Sequence, residues 1–135
     1  MRLCEQLKEE YLKELAMLEN AYKKKSACLA EEGSNDEAIL ETIKANICDI
    51  FYKMFNASYK KSCSHDECEK VELKKLSEAY FHFFDKIPSP WREKMTKDKE
   101  HNMMEEYHKE EIKLETAEKI KNLFIKYFDR LYKEA

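Results

Sequence analysis

Glycine occurs once in this chain, at Gly33, and proline twice, at Pro88 and Pro90. Tight turns draw on Gly, Pro, Asn and Asp because these residues adopt turn geometries that others resist. A single glycine excludes a fold of many hairpins. It also excludes a glycine-rich phosphate loop, and with it P-loop and dinucleotide-binding chemistry. Arginine is nearly as scarce, at Arg2, Arg92 and Arg130, although arginine is the commonest reader of guanine. The net charge is −3, and from residue 92 onward eleven basic and eleven acidic residues interleave. No face is expected to carry the one-signed field that nucleic acid or an anionic lipid surface requires.

Long apolar runs are missing too. None approaches the roughly 18 residues of a membrane-spanning helix. The N-terminal stretch MRLCEQLKEEYLKEL is too charged for a secretory signal. The five cysteines, Cys4, Cys28, Cys48, Cys63 and Cys68, are odd in number and form no tight framework, which suits a reducing compartment. These absences predict a cytoplasmic protein with no membrane and no nucleic-acid partner. There is no Gly-x-Ser-x-Gly and no loop built to strain a nucleophile. Nothing nominates a base for a cysteine, and no cofactor is expected.

What is present is charge and helical periodicity. Of the 135 residues, 39% are charged and 43% hydrophobic. The charged share is well above the usual quarter, as expected where each helix carries a wide solvated face. The length suits one domain over residues 1–135 with a real core. Leu3, Leu7, Tyr11, Leu15, Leu18 and Tyr22 recur at steps of three and four, one stripe of an amphipathic helix over about 2–31. Gly33-Ser34-Asn35-Asp36 is a loop, and Ser34 with Glu37 reads as a capping box. A second helix over about 36–61 carries Leu40, Ile43, Ile47, Ile50, Phe51 and Met54. A third, over about 65–87, carries Leu73, Leu76, Tyr80, Phe83 and Ile87. Pro88 ends it. Ser89 and Pro90 open a short helical turn at 90–95. A fourth long helix is predicted over about 97–133, its second half striped with Ile120, Leu123, Phe124, Tyr127, Phe128 and Leu131 and its first half mostly charge. The sum is an all-α, antiparallel four-helix bundle.

Three constellations invite a functional reading. In KSCSHDEC, Cys63, His65 and Cys68 are residue types that bind zinc. A tetrahedral site needs a distant fourth ligand, and the spacing is not a usual one. Ser64 and Glu67 explain the same segment as a capping box, and Cys68, at a helix start, is the thiol expected to react. In HNMMEEYH, the spacing of His101, Glu105 and His108 places all three on one face of a continuous helix. Glu105-x-x-His108 has the form used in di-iron bundles. Such a site needs a second pair, and only Glu78 with His82, at the wrong spacing, is on offer. The stripe continued backward from Phe124 also puts these histidines off the core side. No metal is therefore assigned, and the metal-binding bundle stands as the alternative reading.

The third is Tyr80-Phe81-His82-Phe83-Phe84, five rings covering every side of a helix turn. Tyr80 and Phe83 fit the core stripe. Phe81 and Phe84, with Trp91 nearby, form a further ridge that needs cover, either from the chain itself or from a partner. Tyr80, Phe81, Phe84 and Trp91 are the candidate interface. The leading expectation is a non-enzymatic helical bundle acting through protein–protein contact and self-associating, with a homo-oligomer or another protein as partner. A pocket for small apolar ligands between the helices is a further reading.

Overall fold

A computed structural model describes residues 1–134. Five helices follow in chain order: α1 (Leu3–Glu31), α2 (Asn35–Ser62), α3 (Glu69–Lys86), α4 (Ser89–Glu100) and α5 (Met104–Glu134). No strand occurs among the described residues. The predicted all-α helical bundle is the fold, with four struts: α1, α2, α5, and one made of α3 and α4 in series.

The pairings across the bundle fix the directions. Tyr11 meets Phe55 and Lys25 meets Glu41, so α1 and α2 are antiparallel. Glu10 pairs with Arg130 and Lys119 lies over Tyr22, which sets α5 antiparallel to α1. Phe81 meets Phe124 and Lys70 lies over Tyr132, so α3 runs antiparallel to α5 as well. Beyond Pro88, α4 takes over the cover of the rest of α5, with Lys94 beside Glu106 and Glu110.

The core forms where the stripes meet. Leu7, Tyr11 and Leu15 of α1, Phe51 and Phe55 of α2, Leu73, Leu76 and Tyr80 of α3, and Ile120, Phe124 and Leu131 of α5 are all fully buried. At the centre each long helix supplies one ring: Tyr11, Phe55, Tyr80 and Phe124. Their centroids lie 4.9 to 5.3 Å apart for Tyr80–Phe124, Tyr11–Phe124, Tyr11–Phe55 and Phe55–Tyr80. Most of these contacts are edge-on, the geometry in which the positive rim of one ring meets the negative face of the next.

Three boundaries and two caps differ from the sequence reading. The third helix starts at Glu69, not 65, with Cys68 at its N-cap. The turn expected at 90–95 is a helix of 12 residues, α4. The last helix starts at Met104, not 97. Neither Ser34 nor Ser64 caps a helix with its side chain: Ser34 makes no such bond, and the Ser64 hydroxyl reaches Glu72 instead.

The break before α5 has a clear cause. Asn102 holds φ at 57°. The Met103 N–H donates to the Asp98 carbonyl at 2.8 Å and the Asn102 N–H to Lys99 at 3.2 Å. That is the Schellman pattern, which uses one left-handed residue to satisfy the last free carbonyls of a helix. Gly33, at φ 86°, performs the same stop after α1, with Ser34 N–H on the Leu29 carbonyl and Gly33 N–H on Ala30. At the other break, Pro88 and Pro90 lack the N–H groups that would continue the α3 ladder. The Trp91 and Arg92 N–H groups turn to the Pro88 carbonyl, which begins α4.

Candidate functional site

The segment KSCSHDEC is organised by one carboxylate four residues beyond it. Glu72 is in the first turn of α3 and is fully buried. It accepts hydrogen bonds from Arg2 Nη2 at 2.7 Å, from the His65 N–H at 2.7 Å and from the Ser64 hydroxyl at 3.3 Å. Arg2 also donates to the Glu67 carbonyl at 2.8 Å, and the Leu3 N–H donates to Glu69 at 3.1 Å. Burial alone pushes the Glu72 carboxyl up, but the Arg2 guanidinium and the His65 N–H outweigh it and hold the group below the usual carboxylate range. The loop bends sharply at His65, whose φ is 68°.

This arrangement separates the three zinc candidates. Cys63 turns into the core, His65 Nε2 faces Glu5 at 3.5 Å, and Cys68 is exposed. Cys63 meets Cys4 instead. The Cys4 thiol beside it holds the Cys63 thiol below its ordinary value against the opposing effect of burial. Cys63 and burial together push the Cys4 thiol far up. The thiol held low at this end of the molecule is Cys63. Sequence spacing gave no hint, because Cys4 and Cys63 come from different helices.

The di-iron candidates are also set apart. The Schellman turn breaks the continuous helix that their spacing presumed. His101 is the C-cap of α4, while Glu105 and His108 belong to α5. His108 Nδ1 faces Glu111 at 3.3 Å. Among the described residues, no group of three or more His, Cys, Asp and Glu side chains converges as metal ligands.

The charged first half of α5 is held by α4. Lys94 reaches Asp98 at 3.0 Å and lies 3.6 Å from both Glu106 and Glu110. Asp98 and Glu110 are buried, so Lys94, with Lys113 at 3.2 Å from Glu110, supplies the charge that their burial requires.

The aromatic run faces largely inward. Tyr80 and Phe84 are buried, and Phe84 stacks on Phe51 with centroids 4.3 Å apart. They present no surface to a partner, which removes half of the expected interface. Phe81 and Trp91 remain half-buried, Phe81 against Phe124 at 5.4 Å and Trp91 under Lys113. The exposed apolar side chains lie elsewhere. Ile39 is 48% exposed, Met103 51% and Met104 56%. Ile39 and Leu40 share a groove with Glu105, His108 and Lys109, and Met103 and Met104 directly precede it. Sequence reading passed over them because Met103 and Met104 stood inside a presumed charged helix.

The hollow expected of a small-ligand binder is replaced at the bundle centre by the four rings. A 460 Å³ groove between α1 and α2 opens on the surface, edged by Glu5, Lys8, Lys13 and Tyr59. No helix among the described residues is long and apolar enough to cross a membrane. Comparison with protein families, curated proteins and solved structures gives no match to this chain.

Proposed function

We propose that this is a non-enzymatic cytoplasmic protein that acts through protein–protein contact and associates with its own copies. The observation that carries the reading is the exposed apolar group Ile39, Met103 and Met104 at the end of the bundle where α2 and α5 begin. They are three of the six large apolar side chains exposed among the described residues, and apolar surface at one end of a bundle marks a contact site. Methionine adapts its shape to the surface it meets. Charges of both signs border the group: Asp36, Glu37 and Glu105 on one side of the balance, Lys109 on the other. A two-fold pairing brings the acidic part of one rim to the basic part of the other, as a self-complementary interface requires.

Sedimentation equilibrium tests it. The wild-type protein is expected to dimerise at high concentration, and Ile39→Glu with Met104→Glu to shift it to monomer without loss of helical signal. A wild-type chain that stays strictly monomeric would remove self-association.

A further inference from the structure

We propose that Cys4 and Cys63 are a redox pair that closes to a disulfide under peroxide, tying the first turn of α1 to the end of α2.

The register of the two helices brings the thiols together. Tyr11 packs on Phe55, and Lys8 lies over Tyr59. Antiparallel helices advance equally in opposite directions. The next turn along α1 is Cys4, and the next along α2 is Cys63. Both are in the same buried cluster, Cys4 1% exposed and Cys63 7%, and each thiol perturbs the other. Neither belongs to a disulfide in this structure. The other three cysteines have no such partner: Cys28 and Cys68 are exposed, and Cys48 is buried among the rings further along α2.

The chemistry follows from which sulfur peroxide can reach. Cys63 is the less buried of the two, and its thiol is held below its ordinary value beside Cys4, with Glu72 opposing and Arg2 favouring the thiolate. Cys63 is 7% exposed at the bundle end, within reach of a molecule as small as hydrogen peroxide. Its thiolate attacks one peroxide oxygen, the O–O bond breaks, and hydroxide leaves and is protonated to water. Cys63 is now a sulfenic acid. Cys4 then gives up its proton and attacks the Cys63 sulfur. The S–O bond breaks, and hydroxide leaves with that proton as a second water. Two thiols have lost two electrons and peroxide has gained them. A thiol reductant reverses the bond by exchange.

The join falls where polar contacts already fasten the reduced form. Arg2 on Glu72 and on the Glu67 carbonyl, with Leu3 on Glu69, fastens the start of α1 to the 63–68 loop. The disulfide makes that fastening covalent and closes most of α1 and α2 into one loop, which restricts the unfolded chain.

The test leaves the core untouched. Cys28→Ser with Cys68→Ser removes the exposed thiols, leaving three of the five. This protein is treated with hydrogen peroxide, denatured, alkylated, digested and examined by mass spectrometry. The expected result is a peptide linking Cys4 to Cys63, with Cys48 alkylated and the linked protein melting several degrees higher. Dithiothreitol should restore both thiols and the original melting temperature. Alkylation of both Cys4 and Cys63 after peroxide would overturn the proposal. So would oxidation of Cys63 to sulfinic acid without a linked peptide. In the same background, Cys4→Ser should leave a Cys63 sulfenic acid that dimedone traps; no trapped adduct in a folded variant also overturns it.

Discussion

The hydroxyl of Tyr11 donates to that of Tyr80 across 2.6 Å, and Tyr80 passes its own hydrogen to the Phe51 carbonyl at 3.0 Å. Neither tyrosine is exposed. A buried hydroxyl is tolerated only when it is hydrogen-bonded, and here a two-step chain satisfies both. The two bonds also link three helices at the middle of the aromatic core.

The chain predicts unequal costs for its two members. Tyr11→Phe removes one hydrogen bond and leaves Tyr80 still bonded to Phe51, at a cost of about 1 kcal/mol. Tyr80→Phe strands the Tyr11 hydroxyl in an apolar surround, at a cost of about 2 kcal/mol. Urea unfolding of the two variants measures the difference, and equal values would contradict the stated order of donation.

The same pair sets an alkaline limit. Burial raises both phenols above their ordinary value of 10.0. A group whose folded value is raised gives stability that is complete below the unfolded value and lost as pH climbs toward the folded one. Two of the eight tyrosines are therefore expected to ionise only with unfolding. Tyrosinate absorbance followed beside circular dichroism above pH 10 should show a late step coincident with loss of helix.

At the acid end the governing group is Glu72. Its folded value lies below the ordinary 4.5. The stability it gives is present above that ordinary value and falls away as pH drops through the lower folded one. Glu72→Gln should lose stability at neutral pH by about 2 kcal/mol, since Arg2 and the His65 N–H lose their charged acceptor. It should also weaken the acid dependence below pH 4.5. A variant with the wild-type acid profile would assign that dependence to other carboxylates, of which Glu41, also held low between Lys44 and Lys25, is the next to test.

Phe124 faces rings from α1, α2 and α3 at the core: Tyr11, Phe55, Tyr80 and Phe81. Phe124→Ala should cost about 4 kcal/mol, the transfer term plus the cavity it leaves. The measurement is the shift in urea midpoint at unchanged slope.

The two left-handed stops, at Asn102 and Gly33, set the cost of any side chain placed there. Asn102→Gly keeps the conformation and is expected to be neutral within about 0.5 kcal/mol, whereas Asn102→Val forces a branched side chain to positive φ and should cost about 1–2 kcal/mol. At Gly33 an added Cβ meets nothing within 4 Å. Gly33→Ala should therefore cost only the backbone term, about 1 kcal/mol. Thermal melts of the three variants check the order.

The sequence by itself determined the helices and the sides they bury. Leu7, Tyr11 and Leu15, then Leu73, Leu76 and Tyr80, then Ile120 and Phe124 are read from spacing and are fully buried in the fold. That reading works because a helix repeats every few residues, so its buried face is written locally. The stop at Gly33 was equally local. Tertiary structure decided everything that joins residues distant in the chain. Glu72 gathers Arg2 and His65, so the loop at 63–68 is not the capping box its residues suggest. Cys63 finds Cys4, and Phe84 turns to Phe51 rather than to a partner. Asn102 could have signalled the break before α5, since asparagine tolerates positive φ, but the charged residues around it carry no apolar stripe to show where one helix ends and the next begins. Local spacing fixes which face of a rod seeks cover; only the packing of the rods selects what covers it.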